Sequence, residues 1–426
     1  MSINRSLYIG LSGMSANAQA LSQIGNNIAN LNTVGYKGTR AVFQDILGQN
    51  ILGAAKGGSV GLGVRMVDAE RLFKQGALLG TGLTTDLAID GQGFFVMKGD
   101  IGQESANFFS RAGQFHLNND GFVVNPSGLQ LMGYSADADG NIGATLGPLK
   151  PVDAPFPPAA TTKVQLAMNM QSSSKVKVDG AGNALVFDPN DPDASANFST
   201  SVTLYDKLGQ AYQADVYFQK TASNEWDFHV LVDGGQLDGG TAGVKEDIST
   251  GTLQFDGNGD LIGAAALAGS FTPTGAADPV DFTINFGNST QWSGDSTVAK
   301  LSQDGAQSGI FQAIDIQSDG TITGTFSNGK TRIVGQVALA RFRSTYGLES
   351  VGNTLFVETP GSGAVTIGRA NTGGLGKIHS GALEQSNVDL AEEFTSLILA
   401  QRGYQANTRN ITTADQMLQE TLNIKR

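Results

Sequence analysis

The chain has no cysteine among its 426 residues. Disulfide bridges, thiolate nucleophiles and cysteine-ligated metal sites are therefore excluded. Charged residues are also scarce, at 15% of the chain, compared with roughly 25% in an average globular protein. The chain is instead rich in glycine, with 57 residues, and this composition is typical of a β-rich protein with many tight turns.

Long apolar runs are missing as well. No stretch approaches the ~20 consecutive apolar residues of a membrane-spanning helix. The N-terminal segment lacks both the apolar run and the small-residue cleavage site of a secretory signal peptide. These signals alone indicate a cytoplasmic protein. The net charge of −12 argues against a nucleic-acid partner and against an anionic membrane, because both bind basic surfaces.

The sequence also lacks a group of residues that could carry catalysis. Its histidines, His116, His229 and His379, each stand alone in their segments. Without cysteine or a second nearby histidine, neither a metal site nor a catalytic triad has support. We therefore expect no catalytic residue, no metal, no cofactor and no enzymatic activity, and a hydrolase is a disfavoured alternative.

Two acidic segments have the spacing that begins a calcium-binding loop, in which oxygen ligands alternate along the chain. One is DGNGD at 256–260, and the other contains Asp137, Asp139 and Asn141. The first segment has Leu261 where such a loop requires glycine, and neither continues to the required glutamate. We interpret both as ordinary turns, while the sequence by itself leaves cation binding open.

The two ends of the chain carry residues in alternating steps of four and three. At the start the series is Leu7, Leu11, Met14, Ala18, Leu21, Gly25 and Ile28. At the end the series is Leu390, Phe394, Leu397, Gln401, Tyr404, Thr408, Ile411, Asp415, Leu418 and Leu422. This spacing of about 3.5 residues predicts helices that pack lengthwise against other helices. We expect a terminal helical pair whose seam residues hold an assembling subunit to its neighbours.

Polar residues interrupt the C-terminal series at a spacing of seven, at Gln401, Thr408 and Asp415. One interpretation is a helix that packs on one side and is solvated on the other. The second is a helix that faces two neighbours in a multi-stranded array, where polar positions fix the register at a cost in stability. The sequence does not decide between these two interpretations.

Between the ends, apolar residues recur with a period of two, which predicts strands. The pairs Asp90-Gly91 and Asp120-Gly121 each stand between two apolar runs, and such pairs predict β-hairpins because glycine adopts the positive φ of tight turns. Further strands are expected at 164–168, 202–205, 214–218, 228–232 and 282–286.

The middle of the chain is acidic. Residues 151–300 include 18 acidic residues and 7 lysines, a net charge of −11, and no arginine occurs between Arg111 and Arg332. The proline cluster at 148–158 predicts a stiff linker at the beginning of this module. Charge repulsion between such modules would prevent nonspecific association.

These patterns together predict a multi-domain, mainly β protein. Its terminal α-helices are expected to pair as a coiled-coil-like rod, with nested β domains inserted between them. The expected domains are a terminal helical domain at 1–64 plus 376–426 with a glycine-rich connecting loop at 48–63, a discontinuous β domain at 65–147 plus 304–375, and an acidic β insertion at 148–303.

Four blocks of the sequence resemble the flagellar rod, hook and hook-associated axial protein family, and they occur in the family's order. They are IGNNIANLNTVGYK at 24–37, LAIDGQGFFVM at 87–97, SRAGQFHLNNDGFVVNPSGLQLMGY at 110–134 and GALEQSNVDLAEEFTSLILAQRGYQANTR at 381–409. The motif residues that carry the resemblance are Asn26, Asn27, Asn30, Asn32, Gly35, Tyr36, Asp90, Gly91, Gly93, Phe94, Asn387, Asp389, Gln401, Arg402 and Asn407.

Two middle segments, 203–220 and 319–348, resemble the hook members of this family. The resemblance implies a structural subunit of the bacterial flagellum that polymerises into a flexible curved tube. This tube would transmit torque from rod to filament as a universal joint. The terminal helices would form its inner tube, the discontinuous β domain its middle layer and the acidic insertion its outer layer. The stretches 172–198 and 234–279 carry no motif that we can place.

The resemblance also implies partners and a location. The implied partners are other copies of the chain in a helical homopolymer, the distal rod protein, the hook–filament junction protein, the hook cap during assembly and the flagellar type III export apparatus. Export without a cleaved signal peptide replaces the cytoplasmic interpretation with an extracellular location in the flagellum, at the basal body and hook.

Alternative functions are less favoured but stay open at this stage. A distal-rod or other flagellar axial structural protein is disfavoured by the long acidic insertion. A secreted adhesin or carbohydrate-binding β protein would not need seam helices at both ends.

Overall fold

The computed structural model describes residues 2–47, 61–101, 104–151, 155–263, 265–275 and 278–424. Most of the predicted glycine-rich loop, residues 48–60, and part of the predicted linker, residues 152–154, lie outside the described residues. The described chain is mainly β, with one long helix near each end. The predicted mainly β class and the two terminal helices are thereby confirmed.

The α-helices of the described chain are α1 (Ser2–Ala29), α2 (Pro192–Ser195) and α3 (Leu390–Ile424). α3 begins after Asp389, whose Oδ1 accepts hydrogen bonds from the N–H groups of Ala391 at 2.8 Å and Glu392 at 3.2 Å. This cap satisfies donors that have no partner within the helix. The exposed Glu392 in the first turn adds negative charge where the helix dipole favours it.

The strands follow in chain order. The first are β1 (Thr39–Leu47), β2 (Gly61–Arg71), β3 (Leu78–Gly80), β4 (Leu87–Asp90), β5 (Phe94–Ile101), β6 (Glu104–Ser110), β7 (His116–Leu117), β8 (Val123–Val124), β9 (Gln130–Ala136) and β10 (Ile142–Pro148). The middle strands are β11 (Lys163–Asn169), β12 (Phe198–Tyr205), β13 (Ala211–Ala222), β14 (Glu225–Asp233), β15 (Lys245–Phe255), β16 (Leu261–Ile262), β17 (Ala266–Phe271), β18 (Val280–Asn285), β19 (Thr297–Gln303) and β20 (Phe311–Ile316). The last are β21 (Thr321–Phe326), β22 (Thr331–Arg341), β23 (Glu349–Gly352), β24 (Leu355–Val357), β25 (Thr366–Arg369), β26 (Lys377–Ser380) and β27 (Ala382–Glu384).

The chain forms two compact units. Unit 1 comprises Met1–Asp153, Ala313–Thr325 and Thr331–Arg426, and unit 2 comprises Ala154–Gln312 and Phe326–Lys330. Unit 1 therefore includes both the predicted terminal helical domain and most of the predicted discontinuous β domain. The predicted acidic insertion overlaps most of unit 2. The division into three domains with the boundaries given above stays a prediction.

β22 is a central strand of unit 1. It pairs antiparallel with β5, β9 and β25, with Leu339 opposite Phe95 and Val337 opposite Gly133. Every side chain from Val337 to Ala340 is fully buried. A strand that is covered on both faces carries a continuous apolar run instead of an alternating pattern, and VALA at 337–340 is such a run.

An aromatic core supports one face of this sheet. Phe94, Phe109, Phe342 and Phe356 are buried, and the partly buried Phe73 packs against them. The rings meet edge to face, with centroids 5.8 Å apart for Phe94 and Phe342 and 4.8 Å apart for Phe109 and Phe342. Edge-to-face pairs are favourable because the positive ring edge lies against a negative ring face.

The two predicted hairpins have different outcomes. Asp120-Gly121 does connect a hairpin, since β7 and β8 pair antiparallel with Leu117 opposite Val123. The hairpin at Asp90-Gly91 is wrong. β4 pairs with β26, and β5 pairs with β6 and β9. The turn at Asp90-Gly91 therefore leads from one sheet to another, because a strand from the C-terminal part of the chain is the partner of β4.

Unit 2 contains a five-stranded antiparallel sheet and a four-stranded mixed sheet. The order is β12-β13-β14-β15-β16 in the first and β17-β18-β11-β19 in the second. Buried side chains of both sheets form one hydrophobic core that includes Phe218, Trp226, Phe228 and Phe286. In β18 buried and exposed residues alternate strictly, as expected for a strand with one face on a core. All five strands predicted for this region are present.

Candidate assembly interface

The two terminal helices contact each other through small residues. A Cβ atom at Gly10 of α1 would lie 2.9 Å from Cγ1 of Ile411, and one at Gly13 would lie 2.7 Å from Oδ1 of Asn407. On α3, a Cβ atom at Gly403 would lie 2.7 Å from Oδ1 of Asn17. Side chains at these glycines would overpack the contact. The absence of a side chain is therefore what lets the two helices approach closely.

Alanines continue the same contact row. Ala16 and Ala20 of α1 are buried, as are Ala400 and Ala414 of α3. The row on α1 follows positions 10, 13, 16 and 20, which lie next to the predicted series that begins at Leu7 and Leu11. Within one chain, the helix contact thus places glycines against the larger side chains of Asn17, Asn407 and Ile411, and Ile411 is a residue of the predicted seam.

The structure places the predicted seam residues mostly on the outside of the single chain. Partly buried are Leu7, Met14, Leu21, Ile28, Leu397, Ile411 and Leu418. Exposed are Leu11, Ala18, Gly25, Leu390, Phe394, Gln401, Tyr404, Thr408, Asp415 and Leu422. The role of these residues in a contact between subunits stays a prediction.

Large apolar side chains are exposed on both terminal helices. We define the exposed helix surface by five of them, whose exposed fractions are Tyr8 71%, Leu11 52%, Phe394 48%, Leu399 65% and Leu422 68%. Exposed apolar residues that occur singly are ordinary, whereas a concentration of them on two helices favours an interaction. No described helix is long and apolar enough to cross a membrane.

Asn27, at the C-terminal end of α1, ties this helix to β1 and to α3. Its Nδ2 donates to Thr39 O at 2.7 Å and to Glu393 Oε1 at 2.8 Å, and its Oδ1 accepts from Thr39 N at 3.0 Å. The residue is 2% exposed. Because its amide is almost completely used by protein groups, Asn27 fixes where α1 ends relative to the beginning of α3.

Asn387 has the corresponding role just before α3. Its Oδ1 accepts from Gly38 N at 2.8 Å, and its Nδ2 donates to Leu72 O at 2.7 Å and Lys74 O at 3.0 Å. One side-chain amide therefore joins the segments before β1 and after β2 to the C-terminal helix. These bonds position both terminal helices on the β part of unit 1.

A buried ion cluster lies between the same segments. The Glu384 carboxylate pairs with the Lys37 ammonium and, at 3.1 Å, with Nη1 of Arg111. It also accepts a hydrogen bond from Gly76 N at 2.9 Å, and Gly35 N donates to the Glu384 backbone oxygen at 2.8 Å. Glu384 is fully buried, and Lys37 is 1% exposed. Removing one partner of such a buried group leaves uncompensated charge, which costs about 3–5 kcal/mol.

Burial shifts the proton affinities of the groups around this cluster. It lowers the pKa of Lys37, and the Glu384 carboxylate opposes that shift. Burial likewise lowers the pKa of Arg111, again opposed by Glu384. The pKa of Tyr36 is raised, mainly by burial. At α3, burial raises the pKa of Glu393, whereas the hydrogen bond from Asn27 lowers it. Desolvation is in each case the largest cause, so the cations depend on Glu384 for compensation.

The motif residues of the first block form a cluster of side-chain amides at the C-terminal end of α1. Asn30 Nδ2 donates to Asn26 O at 2.9 Å. Asn26 Nδ2 donates to the Tyr36 hydroxyl oxygen at 3.4 Å. Gly35 has a φ of 69°, which glycine adopts without strain. Asn32 is exposed and does not join this cluster.

The motif residues of the second block surround the turn after β4. Gln75 Nε2 donates to Asp90 Oδ1 at 3.3 Å, and Gly91 N donates to Gln75 Oε1 at 3.0 Å. Gly93 follows, and Phe94 is buried in the aromatic core. The block therefore forms a turn that is held by hydrogen bonds. This turn positions Arg111, whose Nη2 donates to Gly91 O at 2.6 Å.

The motif residues at the C-terminus divide between packing and exposure. Asp389 caps α3, and Asn407 lies against Gly13 in the helix contact. Gln401 and Arg402 are exposed. The polar positions of the C-terminal series, Gln401, Thr408 and Asp415, are thus solvated in the single chain, and their contact with neighbouring helices in an array stays a prediction.

Sequence reasoning missed the buried ion cluster. Lys37 and Arg111 lie inside blocks chosen for their resemblance, and Glu384 lies inside a third, but none was singled out. The local sequence gives no signal of the cluster, because Lys37, Arg111 and Glu384 come from three separate parts of the chain.

In the two segments that have the spacing of a calcium-binding loop, the first aspartate accepts hydrogen bonds from backbone N–H groups of its own turn. Asp256 Oδ1 accepts from Asn258 N at 2.8 Å and Asp260 N at 2.9 Å. Asp137 accepts in the same way from Asp139 N and Asn141 N. These backbone donors lower the pKa of both aspartates. Within the described ranges, no group of three or more histidine, aspartate or glutamate residues could hold a metal ion.

Four protein-family models match successive parts of the chain. The model described as Flagella basal body rod protein matches residues 7–37, and the Flagellar hook protein FlgE/F/G D1 domain matches 88–183. The Flagellar basal body protein FlaE D2 domain matches 169–306, and the Flagellar basal body rod FlgEFG protein C-terminal model matches 379–424.

Full-length relatives are similar along nearly the whole chain. Flagellar hook protein FlgE of Borreliella burgdorferi is 35% identical over 451 residues, which cover 99% of this chain and 99% of the relative. That of Treponema pallidum is 34% identical over 473 residues, covering 99% and 100%. That of Escherichia coli is 35% identical over 424 residues, covering 97% and 98%.

Proposed function

Because the chain belongs to the flagellar hook protein family, whose members are structural proteins and not enzymes, we propose that it polymerises with its own copies into the curved tube of the flagellar hook. The observation that carries this proposal is the exposed helix surface of Tyr8, Leu11, Phe394, Leu399 and Leu422. The covered glycine and alanine row joins α1 to α3 within one chain, so the larger residues beside it are available to neighbouring copies.

The free energy of burial supports assembly through these helices. Covering a large apolar side chain that is about half exposed contributes roughly 1 kcal/mol. Several such side chains on each copy, repeated along a polymer, would offset the entropy lost on association. The expected seam residues include three of the five residues of the exposed helix surface, Leu11, Phe394 and Leu422. The expected seam residues are Leu7, Leu11, Met14, Ala18, Leu21, Ile28, Leu390, Phe394, Leu397, Gln401, Tyr404, Ile411, Leu418 and Leu422.

We infer three layers for the polymer. The terminal helices, paired in a coiled-coil-like manner, form the inner tube. The discontinuous β domain at 65–147 plus 304–375 forms the middle layer, and the acidic insertion at 148–303 forms the outer layer. Supporting this arrangement, Asn27 and Asn387 fix the helices to the β part of unit 1 through hydrogen bonds of 2.7–3.0 Å.

This layering would suit a universal joint. Apolar helix contacts in the inner tube resist twisting, so torque passes from rod to filament. Outer contacts must break and re-form as each protofilament shortens and lengthens during a turn. Surfaces with a net charge of −11 over residues 151–300 gain little from mutual contact, so they can slide.

The proposed location within the flagellum is the extracellular hook at the basal body. The proposed partners besides its own copies are the distal rod protein, the hook–filament junction protein and, during assembly, the hook cap. The type III export apparatus would carry the chain across the envelope without a cleaved signal peptide. The full-length relatives are named hook proteins, and this favours the hook over the distal-rod alternative.

The test is electron microscopy of the purified chain and of Leu11→Asp. The unaltered chain should form curved tubes. A carboxylate on a surface that becomes buried costs several kcal/mol, so Leu11→Asp should remain monomeric with unchanged near-UV circular dichroism. Leu83→Asp is the matched control, because Leu83 is 62% exposed and lies outside the helices. Discrete monomers of the unaltered chain would contradict the function, and normal tubes of Leu11→Asp would contradict the role of α1.

A further inference from the structure

A cationic cavity lies in unit 1, at the edge of the aromatic core. Its volume is about 230 Å³, and its lining includes Gln92, Phe94, Arg111, Arg341 and Arg343. Three of the lining residues are arginines, and none is acidic. A cavity of this size is smaller than the roughly 300–1,000 Å³ of small-molecule sites, so it suits a single side chain.

Arg111 is the buried arginine of this lining. It is 6% exposed, and its Nη1 and Nη2 atoms are bonded to Glu384, Ile89 O and Gly91 O. Its Nε atom is buried and has no hydrogen-bond partner among the described residues. Glu384 compensates Lys37 as well as Arg111, so the buried cluster carries one net positive charge. A buried cation with an unused donor favours an anionic neighbour.

The other two arginines add positive charge at the cavity mouth. Both Arg341 and Arg343 are exposed. Nη1 of Arg341 donates to Gly373 O at 3.0 Å, which is a neutral acceptor. Within the described ranges, neither arginine forms an ion pair with a carboxylate. The lining of the cavity therefore contains three arginines and no carboxylate, and of these arginines only Arg111 forms an ion pair within the described residues.

We propose that this cavity binds a carboxylate side chain from a second copy of the chain, with Arg343 and Arg341 as its principal ligands. The proposal rests on the self-assembly proposed above. Arginine suits the occupant because its planar group matches a carboxylate with two parallel hydrogen bonds. A second copy suits the source because the chain has 39 acidic residues against 27 basic ones, so carboxylates outnumber cations on every copy that assembly brings alongside.

A zero-length crosslink tests the proposal directly. Arg343→Lys keeps the positive charge and introduces an amine, which a carbodiimide couples as an amide to any carboxylate in contact, with loss of one water. Arg369→Lys is the matched control, because Arg369 is also an exposed arginine of unit 1 that donates to a backbone oxygen, Gly143 O. Mass spectrometry would then identify linked peptides in polymer and in monomer.

We expect position 343 to be linked to an aspartate or glutamate of another chain in the polymer, and not in the monomer. Position 369 should give no such link. Arg343→Gln should raise the critical concentration for polymerisation about three- to tenfold, the effect of losing one charge-assisted contact, and Arg369→Gln should leave it unchanged.

Three outcomes would overturn the inference, and they are distinguishable. Tubes of Arg343→Lys without a link from position 343 would remove the carboxylate contact while leaving the proposed function intact. Calorimetric binding of inorganic phosphate to the monomer with a Kd below about 1 mM, lost in Arg343→Gln, together with no link, would assign the cavity to a free anion. Failure of the unaltered chain to polymerise would remove both proposals.

Discussion

At the scale of residues, Glu384 joins segments that are far apart in the sequence. Its carboxylate is bonded to Lys37, to Gly76 N and to Arg111, and its burial is complete. Because one carboxylate compensates two buried cations, its loss leaves both cations without a counter-charge. The stability of unit 1 should therefore depend strongly on this single side chain.

Glu384→Gln is expected to destabilise unit 1 by about 3 kcal/mol, because two buried cations lose their counter-charge. The measurement is denaturant unfolding followed in two ways. Helix ellipticity follows α1 and α3, whereas tryptophan fluorescence follows unit 2, which contains both tryptophans, Trp226 and Trp292. The helix transition should move to lower denaturant while the fluorescence transition stays. Equal transitions for Glu384→Gln and the exposed control Glu349→Gln would contradict the role of the cluster.

Glu393 makes the pH dependence of the helix contact testable. Its pKa is raised in the folded chain, mainly by burial, so the folded state disfavours the ionised form. That penalty is fully present above the folded pKa and disappears below the unfolded pKa. Glu393→Gln should therefore raise the Tm at pH 7 and have no such effect at pH 3.5. The exposed control Glu349→Gln, which lies in β23 outside the helices, should raise it at neither pH. A Tm gain that is equal at both pH values would exclude desolvation of the carboxylate as its cause.

Residues of this kind are difficult to predict from sequence. Lys37 and Glu384 are 347 positions apart, and nothing local to either reveals the other. The amides of Asn27 and Asn387 were noticed only as parts of motifs. Their function in the fold depends on which backbone groups lie opposite, and that is decided by long-range packing.

At the scale of elements, the terminal helices show both what periodicity predicts and what it omits. The alternation of four and three predicted a helix at each end, and both are present. The contact row was not predicted, because periodicity weights large apolar residues. Gly13 and Gly403 contribute by having no side chain, which leaves no hydrophobic signal.

Gly13→Leu should separate the effect of helix propensity from the effect of packing between α1 and α3. Leucine improves helix propensity by up to about 1 kcal/mol over glycine, but its Cβ at this position would lie 2.7 Å from Asn407 Oδ1. Overpacking costs about 1–3 kcal/mol, so the helix melting midpoint of the full chain should fall. At Gly25 of the same helix a Cβ meets nothing within 4 Å, and Gly25→Leu should raise the midpoint. If both variants raise it, α1 and α3 do not pack at Gly13.

The strands likewise show that local sequence predicts local pairing only. Asp120-Gly121 was predicted correctly because both partners of its hairpin are local. Asp90-Gly91 has the same sequence signal, yet β4 pairs with β26, with Ile89 opposite Ile378. A turn signal specifies that the chain reverses direction, whereas the partner of each strand depends on the whole of unit 1.

At the scale of the molecule, composition predicted more than any single motif. Scarce charge, abundant glycine and a period of two gave the mainly β class, and the charge distribution separated an acidic middle from its flanks. Every arginine lies in unit 1, since none occurs between Arg111 and Arg332. The cationic cavity takes its three arginines from unit 1, whereas the acidic segment 151–300 belongs almost entirely to unit 2.

The most direct test is a cryo-electron microscopy reconstruction of the polymer at side-chain resolution. The central claim is that the exposed helix surface forms the contact between copies. The account predicts Tyr8, Leu11, Phe394 and Leu399 within about 4.5 Å of apolar side chains from neighbouring chains. A reconstruction in which these residues face water, while other parts of the chain hold the tube together, would contradict it.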